Sequence, residues 1–168
     1  MAIFGKQYTI GDVMNIDSGR QSRATGCSVN LVKVYHELKE ETLLEKFKAR
    51  FLGRSIIRKY YVIFKFEVTS EKGNKHTVFI RVAPDFDLTK WKTNKVKIYC
   101  DCADFKYRSA YLLNQHQALF LTPKLQTALG PAVQDAPRGS HATSLLCKHA
   151  YASLNYLVSN YSNIMKTI

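Results

Sequence analysis

The chain has 168 residues, of which 46% are hydrophobic, and this is enough apolar material for one domain with its own core. Its 25 lysines and arginines outnumber its 13 aspartates and glutamates, and the resulting formal charge of +12 favours an anionic partner such as nucleic acid. The sequence has no apolar run near the roughly 20 residues of a membrane span and no secretory signal, so we expect no membrane partner and synthesis in a reducing cytosol.

Residues 1–28 are the least regular part of the chain, and we expect them to form an N-terminal arm or loop. The segment Asp17–Gly26 is polar, basic and bounded by glycine, which is typical of a loop. Within it, Arg20 and Arg23 either contact phosphate or a neighbouring subunit, or lie on a solvated surface. Cys27 has no histidine near it in sequence to act as a base, which favours a half-buried side chain over a reactive thiol.

A strand-prone run and a helix follow the arm. Residues Val29–Tyr35 are rich in β-branched and aromatic side chains. Leu44, Phe47 and Phe51 then recur at helical spacing, and Gly53 follows as a helix C-terminal glycine would. The pattern predicts an amphipathic packing helix that ends at this glycine.

A β-hairpin is predicted next. Apolar residues alternate over Val62–Val68, Glu71–Lys75 has turn composition, and Thr77–Ala83 is the returning strand. His76, beside the turn, is expected on the surface. Lys95–Tyr99 alternates charged and apolar residues and is expected to pair with the hairpin as a third strand.

The C-terminal half is predicted to be helical around a long loop. A helix is expected from about Asp104, as its N-cap, to Leu119. Residues 121–145 contain several prolines and glycines, which predicts a long loop with a short helical piece at 124–133. The last helix is expected to begin near Leu145 or Leu146 and to end near Ser159, leaving 161–168 as a tail.

Two tight pairs of metal-ligand residues, Cys100-x-Cys102 and Cys147-x-His149, stand far apart in the chain. Thiolates and a neutral imidazole are ligands that Zn²⁺ prefers, and four of them close a tetrahedral structural site. Alternate residues of a strand share a face, so Cys100 and Cys102 can point together where the third strand ends. Cys147 and His149 cannot both point inward from mid-helix, so we place them where the last helix begins.

These ligands predict one structural zinc ion that joins the third strand to the last helix. A catalytic site would keep one coordination position open, and four good ligands leave none. His116 and His141 remain rivals to His149, and Cys27 remains a candidate substitute ligand. The complete prediction is an α+β fold: a small antiparallel sheet, made of a hairpin and a third strand, packed with two or three helices and stapled by zinc over residues 29–160.

The pattern Cys100-x-Cys102…Cys147-x-His149 resembles the SWIM-type zinc finger, and the resemblance covers about residues 56–158. It implies a β-hairpin followed by a helix, and binding to DNA or protein without catalysis. The run Cys100–Arg108, together with Leu146–His149, is also similar to small SWIM-like proteins of tailed bacteriophages. In those proteins a proline often stands where this chain has Ala103.

We therefore expect a non-enzymatic protein without a small-molecule substrate, because no nucleophile–base pair, paired-carboxylate motif or phosphate-binding glycine loop is found. One hypothesis is a bacteriophage virion component, made in the host cytoplasm, whose arm and 121–145 loop pack on other virion proteins. The alternative is a cytoplasmic SWIM-type nucleic-acid-binding protein in DNA replication, recombination or transcription. Candidate contacts for nucleic acid or a partner are basic: Arg20, Arg23, Arg54, Arg58, Lys59, Lys95, Lys97, Lys106 and Arg108.

Overall fold

A four-stranded antiparallel sheet forms the centre of the structure, which is a computed structural model that describes residues 6–16, 24–55, 58–133 and 145–168. The strands are adjacent in chain order: β1 (Ser28–Leu38), β2 (Tyr60–Thr69), β3 (Lys75–Val82) and β4 (Val96–Cys100). The predicted hairpin and third strand are confirmed as β2, β3 and β4. The strand-prone run after the arm adds β1 as a fourth member.

Helices surround this sheet and complete the predicted α+β fold. They are α1 (Ile10–Ile16), α2 (Leu43–Phe51), α3 (Ala110–Gln115), α4 (Pro123–Leu129) and α5 (Lys148–Lys166). Shorter turns are the 3₁₀ segments Leu88–Thr93 and Gly130–Val133 and the π-helical turn Phe105–Ser109 that leads into α3. Among the described residues, no helix is both long and apolar enough to cross a membrane.

The main core lies between the sheet and α5. Alternation along β2 buries Phe64 and Phe66 completely on one face. Phe64 meets Tyr161 of α5 edge to face at 6.1 Å between ring centroids, and Phe66 meets Tyr156 at 6.0 Å. The period-2 pattern of the hairpin therefore determines which sheet face the last helix covers.

The two outer edges of the sheet differ. The edge of β4 is covered by the chain at 118–120, since Ile98 N–H donates to the Ala118 carbonyl (2.8 Å) and Phe120 N–H donates to the Ile98 carbonyl (2.9 Å). The outer edge of β1 has no strand partner within the described ranges. A register shift between Leu31 and Lys33 marks a bulge in β1.

Both chain ends pack on the body more than the sequence suggested. The expected arm is wrong for residues 6–16, because Ile10 and Val13 are fully buried and Ile10 N–H donates to the Asn94 carbonyl at 2.9 Å. Residues 17–23 of the expected loop, with Arg20 and Arg23, lie outside the described residues. The expected tail is also wrong: α5 continues to Lys166, since Ile164 extends its apolar face and is buried.

Helix α2 has the predicted position but not the predicted packing. The side chain of Thr42 accepts the Glu45 N–H while the Glu45 carboxylate accepts the Thr42 N–H, so this capping box stabilises the helix locally. Gly53 follows the helix with a left-handed φ of +60°. No residue of α2 is buried. Its apolar side chains point away from the protein: Leu43, Leu44, Phe47 and Phe51 are 86, 61, 67 and 80% exposed.

The helical segment after the first cysteine pair begins and ends differently from the prediction. Asp104 is not the N-cap: its backbone is already helical, and its carboxylate pairs with Arg108 at 2.9 Å. The segment ends at Gln115, because Gln117 adopts a positive φ of 53° and turns the chain toward the edge of β4. The predicted helical piece of the 121–145 loop corresponds to α4 and the 3₁₀ turn after it, and residues 134–144 lie outside the described ranges.

Candidate metal centre

The structure brings Cys100, Cys102, Cys147 and His149 together. One ligand atom from each lies within 4.8 Å of all the others, and all four residues are buried. Cys100 ends β4 and Cys102 follows it, whereas Cys147 immediately precedes α5 and His149 lies in the first turn of that helix. The predicted junction between a strand end and a helix start is therefore present.

Two of the sulfur atoms also serve as helix caps. The Cys102 sulfur accepts the Phe105 N–H at 3.3 Å, and the Cys147 sulfur accepts the Ala150 N–H at 3.4 Å. Cys147 is the N-cap of α5, with an extended backbone at φ −74° and ψ 163°. Because backbone N–H groups at a helix N-terminus carry partial positive charge, both hydrogen bonds reduce the cost of ionising the sulfur.

The three thiols cannot all ionise without compensation. Burial raises the pKa of Cys100 and of Cys147 well above the ordinary cysteine value. Hydrogen bonds from Cys100 and Cys147 instead lower the pKa of Cys102, so protein contacts alone favour one thiolate held by two thiols. A divalent cation among these atoms supplies the charge that stabilises all three thiolates.

The surroundings of His149 also indicate a bound metal ion. Neither of its ring nitrogens has a hydrogen-bond partner within the described residues, although the ring is buried. An unsatisfied buried polar atom is costly, and coordination of a metal by one nitrogen removes that cost. Tetrahedral zinc holds such ligand atoms about 3.5–4 Å apart, which is within the 4.8 Å limit that encloses the four ligand atoms here. The donor set therefore fits one structural zinc ion bound by three thiolates and one imidazole.

A second histidine lies against the imidazole ligand. The ring of His76 is 4.1 Å from the ring of His149, centroid to centroid, and its Nδ1 lies 3.2 Å from a carboxylate oxygen of Asp101. Asp101 separates the two cysteine ligands, and its N–H donates to the Thr77 carbonyl at 3.2 Å. The prediction of a surface position for His76 holds only in part, because its side chain is 23% exposed but the β2–β3 hairpin also carries its ring against His149.

Replacing His76 with alanine is expected to weaken zinc binding by about 10-fold or more, since residues that orient metal ligands commonly have effects of this size. Competition with a chelator of known affinity measures the change. His36→Ala is the matched control, because His36 is exposed on β1 and lies outside the cluster. Equal zinc affinity of His76→Ala and wild type would show that the ring contact has no positioning role.

The alternative ligand candidates that the structure describes lie outside the cluster. Cys27 is half-buried, as predicted, and lies outside the group of four, and burial raises the pKa of its thiol. His116 stacks on Tyr8 with ring centroids 3.8 Å apart. His141 lies outside the described residues.

The predicted contact residues separate into different regions. Lys95 and Lys97 line a groove of ≈ 340 Å³ at one end of the sheet. Arg54 and Lys59 line a second depression beside α2, and Arg58 lines a third. Lys106 donates to the Ala128 carbonyl at 3.2 Å, and Arg108 is paired with Asp104, so neither joins the groove.

Two cationic residues that line the groove were not among the predicted contact residues. Arg81 and Lys39 line it together with Lys95 and Lys97. Arg81 faces this side because it alternates with the buried residues Ile80 and Val82, a signal present in the strand pattern. Lys39 follows β1 directly, and only the pairing of β1 with β2 places it here; its N–H donates to the Lys59 carbonyl at 2.8 Å.

Comparison with known proteins agrees with this metal centre. The SWIM zinc finger family model matches residues 76–112 and 138–157, which is less than half of the chain and includes all four clustered residues. A search of curated proteins and a search of solved structures found no match. The expected similarity to phage proteins is therefore not shown. The family match and the buried cluster together support a SWIM-type zinc finger with one structural zinc ion.

Proposed function

We propose that this protein is a non-enzymatic, zinc-stabilised nucleic-acid-binding protein whose contact surface is the cationic groove. The observation that carries the proposal is the convergence of four cations, Lys39, Arg81, Lys95 and Lys97, around one groove of ≈ 340 Å³. Among the residues that line the groove, the acidic one is Asp85. Such an excess of positive charge suits a phosphate backbone.

The sheet register supports this arrangement. Tyr35, Ile63, Arg81 and Lys97 are direct neighbours across β1, β2, β3 and β4, on the face opposite α5. The Arg81 guanidinium lies 4.1 Å from the centroid of the Tyr61 ring. An aromatic ring beside cations offers a surface on which a base can stack while its phosphate meets the charge.

Electrostatics in the groove favour an incoming anion. Burial lowers the pKa of Lys97, and the positive charge of Arg81 lowers it further, whereas Glu37 opposes the shift. Glu37 also accepts a hydrogen bond from Arg81 at 3.2 Å. A phosphate group near Lys97 would stabilise its charged form, as Glu37 does.

The zinc ion has an indirect part in this proposal. Lys95 and Lys97 belong to the strand region that ends at the ligand Cys100, and zinc fixes that strand end to α5. Zinc therefore holds the scaffold of the groove without touching the nucleic acid.

The double variant Lys95→Ala/Lys97→Ala is expected to bind a single-stranded oligonucleotide at least 10-fold more weakly than wild type. Its plot of log affinity against log salt should be shallower by about 1.4, because each lost phosphate contact removes about 0.7 from the slope for single strands. Fluorescence anisotropy over a salt series measures both quantities.

Lys72→Ala/Lys124→Ala is the control for the groove, because it removes the same charge from two exposed positions outside it. If both double variants lose equal affinity, binding follows net charge and the groove is not the site. If wild-type binding is weak at low salt and insensitive to added salt, the protein does not bind nucleic acid.

A second candidate function is that of a structural subunit, such as the virion component suggested by the resemblance. The exposed apolar side chains of α2 favour it, since monomeric proteins rarely expose such a group together. Within the arm and the 121–145 loop that are expected to contact neighbours, residues 1–5, 17–23 and 134–144 lie outside the described ranges. Absence of the protein from purified particles would contradict this role.

A further inference from the structure

The outward face of α2 exposes a group of large apolar side chains. Leu43, Leu44, Phe47 and Phe51, which we call the α2 stripe, are 61–86% exposed, and the Phe47 and Phe51 rings stack with centroids 6.4 Å apart. Ala49 projects from the opposite side of the helix and is half-buried. The side of α2 that faces the protein therefore carries the small residue Ala49, whereas the α2 stripe faces solvent.

Local hydrogen bonds stabilise α2 as a helix. Its first turn has a complete capping box, and at its end the Arg54 N–H donates to the Ala49 carbonyl at 3.0 Å. Capping of this kind stabilises a helix without help from a core. The stripe is therefore presented by a formed helix.

We propose that the α2 stripe binds the same stripe of a second copy of this chain, with the two helices antiparallel about a two-fold axis through Phe47. In this arrangement Leu43 of each copy lies over Phe51 of the other. A two-fold contact uses one surface patch twice, so a self-complementary stripe is sufficient.

The area is adequate for such a pair. Side chains of this size have on the order of 150–200 Å² of accessible surface each, and at 61–86% exposure the four of them offer about 500 Å² per copy, so that two copies bury about 1,000 Å². This is about the lower limit of a specific protein–protein interface.

Charge along α2 favours the antiparallel direction. Residues 39–46 at the N-terminal end carry three glutamates against Lys39 and Lys46, a net charge of −1, whereas residues 47–54 at the C-terminal end carry Lys48, Arg50 and Arg54, a net charge of +3. Antiparallel pairing sets the acidic end of each helix beside the basic end of the other, whereas parallel pairing opposes like charges.

The salt dependence of binding distinguishes a second copy of the chain from an acidic protein or an anionic lipid surface. Each copy carries a formal charge of +12, so long-range repulsion opposes association and is screened beyond about 8 Å at physiological ionic strength. Apolar contact persists when salt is raised. Binding of the stripe to an acidic protein or an anionic lipid surface would instead weaken with salt.

Sedimentation velocity of the zinc-loaded full-length chain, at tens of micromolar in 0.15 and 0.5 M NaCl, tests the proposal. Wild type is expected to be a dimer in both buffers, and Phe47→Glu a monomer with unchanged zinc content and circular dichroism. Tyr107→Glu makes the same kind of change at a residue that is 66% exposed outside α2, and it should remain dimeric. A monomeric wild type, or a dimer that survives Phe47→Glu, overturns the proposal.

Disulfide trapping tests the two-fold geometry. In a Cys27→Ser background, Phe47→Cys places equivalent sulfurs beside the axis and should give a covalent dimer on mild oxidation, with zinc retained. Ala49→Cys, on the opposite side of the helix, should not. Efficient trapping at 49, or none at 47, overturns the antiparallel arrangement.

Discussion

The Cys147→Ser variant is expected to lose bound zinc and most of its folding stability. Structural zinc contributes roughly 10 kcal/mol or more of apparent free energy in small zinc domains, and a whole domain is stable by only about 5–15 kcal/mol. Metal analysis should fall from about one zinc per chain to near zero, and thermal unfolding followed by circular dichroism should shift far down or disappear. Addition of a strong chelator to wild type should reproduce the same unfolding.

Serine at this position separates two roles of Cys147. A serine hydroxyl is a good N-cap and can accept the Ala150 N–H that the sulfur now accepts at 3.4 Å. It does not replace a thiolate as a zinc ligand. Cys27→Ser, at a cysteine outside the cluster, should keep both zinc and stability. A Cys147→Ser protein that folds normally without metal would refute the structural role of zinc.

The second large effect is expected in the core: Phe66→Ala should reduce the free energy of unfolding by about 3–5 kcal/mol. Phe66 is fully buried, and its ring meets Tyr156 at 6.0 Å and Phe64 at 6.4 Å. Removing the ring leaves a cavity between β2 and α5 that neighbouring side chains fill only in part. Chemical denaturation of the zinc-loaded protein measures the loss.

Tyr107→Ala is the control for this effect. It also removes an aromatic ring, but from a side chain that is 66% exposed, so the expected change is below about 1 kcal/mol. Because Phe66 lies outside the zinc cluster, Phe66→Ala should still bind zinc when folded. A loss below 1 kcal/mol for Phe66→Ala would show that the sheet and α5 are not held together by this contact.

The parts of the fold that follow from short-range pattern could be predicted from the sequence. Alternation over Val62–Val68 and Thr77–Ala83 predicted the hairpin, and the spacing of the two ligand pairs predicted both the zinc ion and the position of Cys147 at the start of α5. In each case the physical requirement acts within a few residues. Strand periodicity and zinc coordination geometry leave few alternatives at that range.

Features that depend on distant neighbours could not be predicted in this way. The spacing of Leu44, Phe47 and Phe51 predicts an apolar stripe but not the direction in which it faces, so α2 was wrongly expected to pack inward. Asp104 is a good N-cap by residue type, but the thiolate of Cys102 fills that position because the zinc site fixes it there. The contact of His76 with His149 joins two segments that nothing in the sequence connects.

The covered edge of β4 limits how far this sheet can grow between molecules. Fibres built by strand addition need two free edges per molecule, because every added copy must offer an edge to the next one. In the described part of the chain this protein offers one, at β1, and addition of one β1 to another uses the edges of both copies. Strand addition between folded copies through the described edges therefore ends at two molecules, because the segment at 118–120 already occupies the edge of β4.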